Sequence, residues 1–291
     1  MKALVKRAYG ALPFKQQLFS VLRLLPLPRS VFQHLHFKGV ITVKVPGGAP
    51  FRMHHHGYMI ENELFWRGLD GWEKVSARLW TSLCRNARNI LDIGANTGVY
   101  ALLAHAVNPR ATVVAVEPVE RVFRKLEANI ALNGGRAYAV RAAVTDHDGE
   151  VVLYDTPDSE HVLSVSVNKE FLADTPGARP VNVPARTVAS LAAQFGMGTV
   201  DLLKIDVETH EPEVLAGFRE VLHRDRPSML IEVLNDEVAA RVEALIAGLG
   251  YERYNIDEVT WPPERTTTLS RSRHFNFLLC TPEVARSIGI A

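Results

Sequence analysis

Hydrophobic positions fall into two regimes along the chain. Over 64–84 they recur at helical spacing, with Trp66, Leu69, Trp72, Val75, Leu79 and Leu83 on one stripe, which predicts a single helix there. Before it, residues 1–35 read as helical up to Pro26 and Pro28, and 40–45 and 51–55 read as short strands around the turn Pro46-Gly47-Gly48. After residue 86 the pattern alternates. Apolar runs at 89–93, 112–116, 136–144, 201–205 and 228–233 read as strands, separated by helical stripes at 100–107, 121–132, 211–222 and 237–249. Residues 150–154 read as a hairpin partner of the third run, and 251–255 and 276–280 as two late strands. Strands spaced by helices of this length predict an α/β, Rossmann-like sheet, mostly parallel with an antiparallel C-terminal strand and helices on both faces. The expected organisation is an arm with a lead-in helix over 1–85 and a ligand-binding domain over 86–291.

In such sheets ligands bind beyond the carboxyl ends of the strands, and the polar motifs fall there. The first run leads into Asp92-Ile93-Gly94-Ala95-Asn96-Thr97-Gly98. Gly94 and Gly98 permit a tight turn close to a ligand, and the helix that follows offers free N–H groups to a carboxylate. Asp92 would repel a pyrophosphate and attract an amino group. A ligand carrying both an amino group and a carboxylate therefore fits, as S-adenosylmethionine does. A nicotinamide cofactor is disfavoured by Asp92 and by the missing Gly-x-Gly-x-x-Gly spacing. The second run ends at Glu117-Pro118, where a carboxylate can accept both ribose hydroxyls.

Charge narrows the partners. Lys and Arg number 33 against 32 Asp and Glu, a balance that offers no general basic stripe for nucleic acid. The apolar stretch 18–27 is broken by Arg23 and Pro26 and is too short to span a bilayer, so a packing arm or lid and a cytoplasmic location are expected, with amphipathic attachment to a membrane surface as the alternative. Cys84 and Cys280 read as buried thiols.

Three motifs together resemble the FkbM-type methyltransferases: Asp-Ile-Gly-Ala-Asn-Thr-Gly at 92–98, Val-Glu-Pro at 116–118 and Lys-Ile-Asp-Val-Glu-Thr-His-Glu at 204–211. The lead-in Ile60-Glu61 and Leu64-Phe65-Trp66 is also similar. The third motif is the most specific, and Thr209 departs from it, since the family usually has Gly there. The resemblance implies a class I methyltransferase sheet, S-adenosylmethionine as cofactor and O-methyl transfer to a small molecule such as a sugar, glycoside or polyketide. It implies that Asp92, Gly94, Ala95, Asn96, Gly98 and Tyr100 line the methionine end, that Glu117 and Pro118 hold the ribose, and that Asp146 lies near the adenine. Asp206 would face the junction of cofactor and acceptor.

A hydroxyl acceptor gains from a base that removes its proton. The candidates are His210, Asp206 and Glu232, with Glu208 and Glu211 nearby. His210 is preferred because its ordinary pKa lies close to neutrality. Lys204, inside an apolar run, needs a partner such as Asp206 or Glu232. Asp206 and Glu232 are also the pair that would hold a Mg²⁺, although metal-free catalysis is the expectation. His54-His55-His56 alternate across a strand and do not converge on a metal. Their hairpin surface, with Tyr58, is expected to line the acceptor pocket. Trp66, Trp72 and Trp80 are expected to pack the lead-in helix. Other readings are a nitrogen, protein or RNA acceptor, and a non-catalytic cofactor-binding module. The oligomeric state stays open.

Overall fold

The computed structural model describes residues 13–155 and 179–291, so the expected helix at the start of the chain lies outside the described residues over positions 1–12. The arm consists of α1 (Lys15–Leu22), α2 (Arg29–Phe32) and an antiparallel hairpin of β1 (Gly39–Val43) and β2 (Phe51–His55). The single helix predicted over 64–84 is instead two, α3 (Met59–Arg67) and α4 (Lys74–Cys84), joined through a 3-10 turn at Gly68–Asp70. The glycines at 68 and 71 interrupt the stripe, because glycine is poorly tolerated inside a helix. The first turn of α4 is closed from far away. Glu258 accepts the amides of Val75 at 2.8 Å and Ser76 at 3.1 Å.

The alternating part follows as β3 (Asn89–Ile93), α5 (Val99–Val107), β4 (Thr112–Val116), α6 (Glu120–Leu132), β5 (Tyr138–Val140), β6 (Ala143–Val144) and β7 (Gly149–Asp155). Then come β8 (Arg179–Arg186), α7 (Val188–Gln194), β9 (Leu202–Ile205), α8 (Glu211–Ala216), α9 (Arg219–Asp225), β10 (Ser228–Glu232) and α10 (Asp236–Ile246). β11 (Glu252–Asn255), β12 (Glu264–Thr266), β13 (Asn276–Cys280) and α11 (Pro282–Ser287) end the chain's described elements. The large sheet has the order β12-β11-β13-β10-β9-β3-β4-β5. Strands β5, β4, β3, β9 and β10 are parallel, and β12 and β13 run against the rest. The expected antiparallel C-terminal strand is therefore β13, with β12 as a second at the edge.

Three local expectations are corrected. The run at 136–144 splits: β5 closes the large sheet, while β6 leaves for a small sheet of order β6-β8-β7. β7 pairs with β8, not with that run. The prolines of β8 hide its strand character in the sequence. β6 reaches only Ala185 and Arg186, so Pro180 and Pro184 lie where β8 is an edge on that side and proline is tolerated. The helix predicted over 211–222 breaks into α8 and α9 at Gly217. A Cβ there would stand 2.4 Å from the carbonyl oxygen of Thr145.

The strands alternate their burial between two apolar layers. Ile90 and Leu202 face a layer containing Leu79, Trp80 and Leu102, and Leu91 and Leu203 face one containing Leu191, Val214 and Val242. Phe19 and Phe32 of the arm belong to the first layer, so the arm shares the core of the sheet. Cys84 and Cys280 are buried free thiols. Among the described residues no helix is long and apolar enough to cross a membrane.

Candidate active site

The chain runs outward from β3 to β5 and then returns to β9 on the other side of β3, so the order of strands reverses between β3 and β9. Ligand crevices form at that reversal, beyond the carboxyl ends. A cavity of about 560 Å³ opens there, lined by the 92–97 turn, Val99, Tyr100, Val116–Pro118, Ala142–Val144, Lys204, Asp206–Glu208, His210 and Glu232. From the arm side it takes Gly57–Ile60, Trp72 and Glu73.

Gly94 is the pivot. Its φ is 76°, and a Cβ would lie 1.9 Å from the backbone oxygen of Asp206. Gly94 and Ala95 both donate to the carbonyl of Val116, which fixes the turn to β4. Asn96 sits at φ 51°, and its amide donates to Glu117 at 3.0 Å. The other Glu117 oxygen accepts from Val119 N at 3.0 Å, so the carboxylate is held rigidly at the end of β4. Burial pushes Glu117 up to about 7. Gly98 is not among the lining residues; it lets the chain pass against Leu126 and starts α5.

Asp92 is 1% exposed and accepts from Ala101 N at 2.9 Å, bracing the start of α5. Burial raises it to about 7, with Lys204 pulling the other way. Asp92 and Lys204 are paired in register across β3 and β9. Lys204 is itself buried and donates to Asp206 at 2.9 Å. Burial alone would lower its pKa, but Asp206 and Glu73 outweigh this and raise it. Glu73 is a lining residue that the sequence motifs do not mark. It stands before α4, accepts from the Tyr100 hydroxyl, and is raised by burial.

Asp206, Glu208 and Glu232 converge, with one carboxylate oxygen of each within 4.8 Å of the others. Burial and then the like charges of Asp206 and Glu208 push Glu232 up to about 9. Glu211, buried behind them, is pushed up to about 8. His210 lies apart from this group. Its Nε2 is 2.9 Å from the Thr145 hydroxyl and its Nδ1 3.5 Å from Glu213, and burial lowers its pKa. Asp146 is not among the lining residues; its carboxylate pairs with His147 at 2.7 Å. His55 points inward against Asn62, and burial lowers it to about 4, while the rings of His54 and His56 face each other at 5.8 Å. Tyr58 borders the cavity whereas His54, His55 and His56 are not among its lining residues, and Trp72 borders it as well as packing on the core. Trp261 stacks with Arg78, whose guanidinium carbon is 3.6 Å from the ring centroid.

These raised carboxyls bind more protons in the folded state than in the unfolded one. Their stabilisation is present below about pH 4.5 and lost as pH rises through the folded values. The buried histidines, whose pKa values are lowered, act below pH 6.5, so above neutrality the acids dominate. The melting temperature of the ligand-free protein is expected to fall between pH 7 and pH 9, by about 3 °C or more in a calorimetric scan. A flat profile would contradict the buried placement of Glu232 and Glu211.

A six-acid cavity with one buried lysine favours a cationic ligand, and a nucleoside-sized volume beside a glycine turn defines the S-adenosylmethionine-dependent methyltransferases as its class. The methyltransferase FkbM domain matches residues 92–253. The chain belongs to the FkbM methyltransferase family. It is similar to the 31-O-demethyl-FK506 methyltransferase FkbM of Streptomyces tacrolimicus, with 27% identity over 56% of this chain and 72% of that one. Methyltransferase sdnD of Sordaria araneosa is 25% identical over 68% of this chain and 89% of its own. The 2-O-methyltransferase NoeI of Sinorhizobium fredii is 29% identical over 47% and 60%. A solved methyltransferase from Agrobacterium tumefaciens covers 84% of this chain and 70% of its own at 14% identity, with TM-score 0.45.

The residues present fit the cofactor. The side-chain oxygens of Asn96 and Thr97 are buried with no hydrogen-bond partner among the described residues, next to the acids that would meet a cationic ligand.

Thr209, the departure from the family's third motif, adopts φ 78° directly after Glu208 at φ 54°. A β-branched residue there is strained by about 1–2 kcal/mol. Thr209→Gly is expected to raise stability by about 0.5–1 kcal/mol after the added freedom of the unfolded glycine is subtracted. Urea unfolding measures this, and a less stable variant would mean that the contacts of the threonine side chain outweigh the strain.

Proposed function

We propose that the chain methylates a hydroxyl of a small molecule such as a sugar, glycoside or polyketide, and that the reacting oxygen meets the Asp206–Glu208–Glu232 group. The convergence of these three carboxylates beside the cofactor turn carries the reading. In this reading Asp92, Gly94, Ala95 and Asn96 receive the methionine end, Glu117 and Pro118 the ribose, and Ala142–Val144 the adenine side in place of Asp146. Bound S-adenosylmethionine supplies a methyl carbon on a positively charged sulfur. Beside that positive charge, which would favour its ionised form, Glu232 would accept the hydroxyl proton, while Asp206, held by Lys204, would orient the acceptor. His210, engaged by Thr145 and Glu213, suits a positioning role better than proton abstraction. The names of two relatives, a 31-O-demethyl-FK506 methyltransferase and a 2-O-methyltransferase, support oxygen as acceptor. The acidic lining disfavours the phosphates of RNA.

A second reading keeps the same carboxylates and places a Mg²⁺ among them, since hard cations take carboxylate oxygens. It is favoured by the 4.8 Å convergence alone.

A tritiated-methyl transfer screen over glycosides, polyketides and phenols identifies the acceptor. Glu232→Gln is then expected to lower kcat about 100-fold or more, with S-adenosylhomocysteine affinity by calorimetry changed only a few-fold. Glu117→Ala is expected to weaken that affinity. Full activity in Glu232→Gln would remove the proposed base, and loss of activity in excess chelator would favour the metal reading.

A further inference from the structure

The near-neutral total hides a strong division of charge. Residues 1–60 contain nine of the 33 Lys and Arg and none of the 32 Asp and Glu, so they carry +9. The other 231 residues hold 24 Lys and Arg against those 32 acids, a charge of −8. The acid-rich cavity belongs to the second part, and the acid-free arm has no role in it beyond Gly57–Ile60.

The arm also leaves large apolar side chains in solvent. α1 buries Phe19 against the core, yet Phe14, Leu18, Val21 and Leu25 are 75%, 43%, 64% and 56% exposed. Their spacing of four, three and four residues puts them on one stripe of the same helix and its following turn. Leu24, at 81%, extends the stripe. A soluble surface seldom gathers so many large apolar groups without a partner. Beside the stripe lies a second cavity of about 380 Å³ lined by Phe14, Lys15, Gln16, Gln17, Phe37 and Lys38. Its lining contains two lysines and no acidic residue.

We infer that this face docks on an anionic lipid surface. The apolar stripe enters the boundary between headgroups and acyl chains, and Lys15 and Lys38 meet lipid phosphates. Apolar burial and electrostatic attraction to anionic lipid act together in such interfacial segments, and charge complementarity is what selects a bilayer as the occupant. The arm is tied to the cavity mouth. Arg29 Nε is 2.6 Å from Glu63 of α3, and the first turn of that helix, Met59 and Ile60, lines the cavity.

The test is co-sedimentation of the full chain with vesicles of phosphatidylcholine containing phosphatidylglycerol, and with vesicles of phosphatidylcholine alone. Wild-type protein is expected to sediment with the anionic vesicles only, and to be released at about 0.5 M salt, where the Debye length has shrunk to a few Å. The variant V21S/L24S/L25S and the variant K15E/K38E are each expected to lose about tenfold or more in vesicle affinity. Unchanged melting temperature and S-adenosylhomocysteine affinity verify that both variants remain folded. Absence of binding to anionic vesicles, equal binding to neutral ones, or variants that bind like wild type would each overturn the inference. So would light scattering that finds a dimer which V21S/L24S/L25S converts to monomer without any vesicle binding by wild type, since the stripe would then join two copies of the chain.

Discussion

Gly94→Ala is expected to destabilise the protein by about 3 kcal/mol or more and to abolish S-adenosylhomocysteine binding. Two costs add. The first is the left-handed backbone, at φ 76°, which an alanine adopts at about 1–2 kcal/mol. The second is overlap with the Asp206 carbonyl 1.9 Å away. A backbone oxygen cannot swing aside as a side chain would, so relief requires β3 and β9 to part at the ligand crevice. At this chain length the loss corresponds to a melting temperature lower by roughly 10 °C. Gly135→Ala is the control: φ is 65° there but nothing lies within 4 Å of the added carbon, so only the first cost applies. Equal losses for the two variants would mean that the turn at Gly94 has room to move.

Lys204→Met is expected to cost about 3 kcal/mol near pH 8, the low end for breaking a buried pair because Asp206 keeps 35% of its side chain in solvent. The variant leaves Asp92, Glu73, Asp206 and Glu232 facing one another without their shared cation. The charged forms of Asp92 and Glu232 suffer, and these are populated at high pH. At pH 5.5 Asp92, pushed up to about 7, and Glu232, pushed up to about 9, are largely protonated and the loss should shrink. Urea unfolding at the two pH values measures the difference. Equal destabilisation at both would show that the lysine matters through packing of its stem and not through its charge.

How much of this was legible in the residues depends on the range of the interaction involved. The 92–98 turn, Glu117 and the 204–211 motif were readable because each couples a strand end to a local backbone requirement. Gly94 is a case where the chain itself announces a close approach. Glu73 was not readable as a site residue. It becomes one only because α4 packs on α5 and brings its carboxylate to Tyr100, a contact that local periodicity does not encode. The preference for His210 rested on the same kind of local reasoning. A histidine in a loop at a ligand-bearing edge has the right ordinary pKa, while the contact of its Nε2 with the Thr145 hydroxyl at 2.9 Å depends on β6, whose departure from the main sheet the pattern did not reveal. The two-part helix at 59–84 and the split at Gly217 were missed because apolar periodicity continues through a glycine break. The charge division between the arm and the rest disappears in any whole-chain total.

The clasp of Glu258 on α4 links the two ends of the sequence in time as well as in space. The amides of Val75 and Ser76 find their acceptor 183 and 182 residues further on, and Ser76 Oγ binds the same carboxylate. During synthesis at about 5–20 residues per second, the segment that carries Glu73 leaves the ribosome roughly ten seconds or more before the residue that fixes its helix start. A nascent chain ending before residue 258 thus has β3, β4 and β9 but an unsecured α4. A pulse of labelled S-adenosylmethionine on stalled nascent chains is therefore expected to be retained only once Glu258 has emerged.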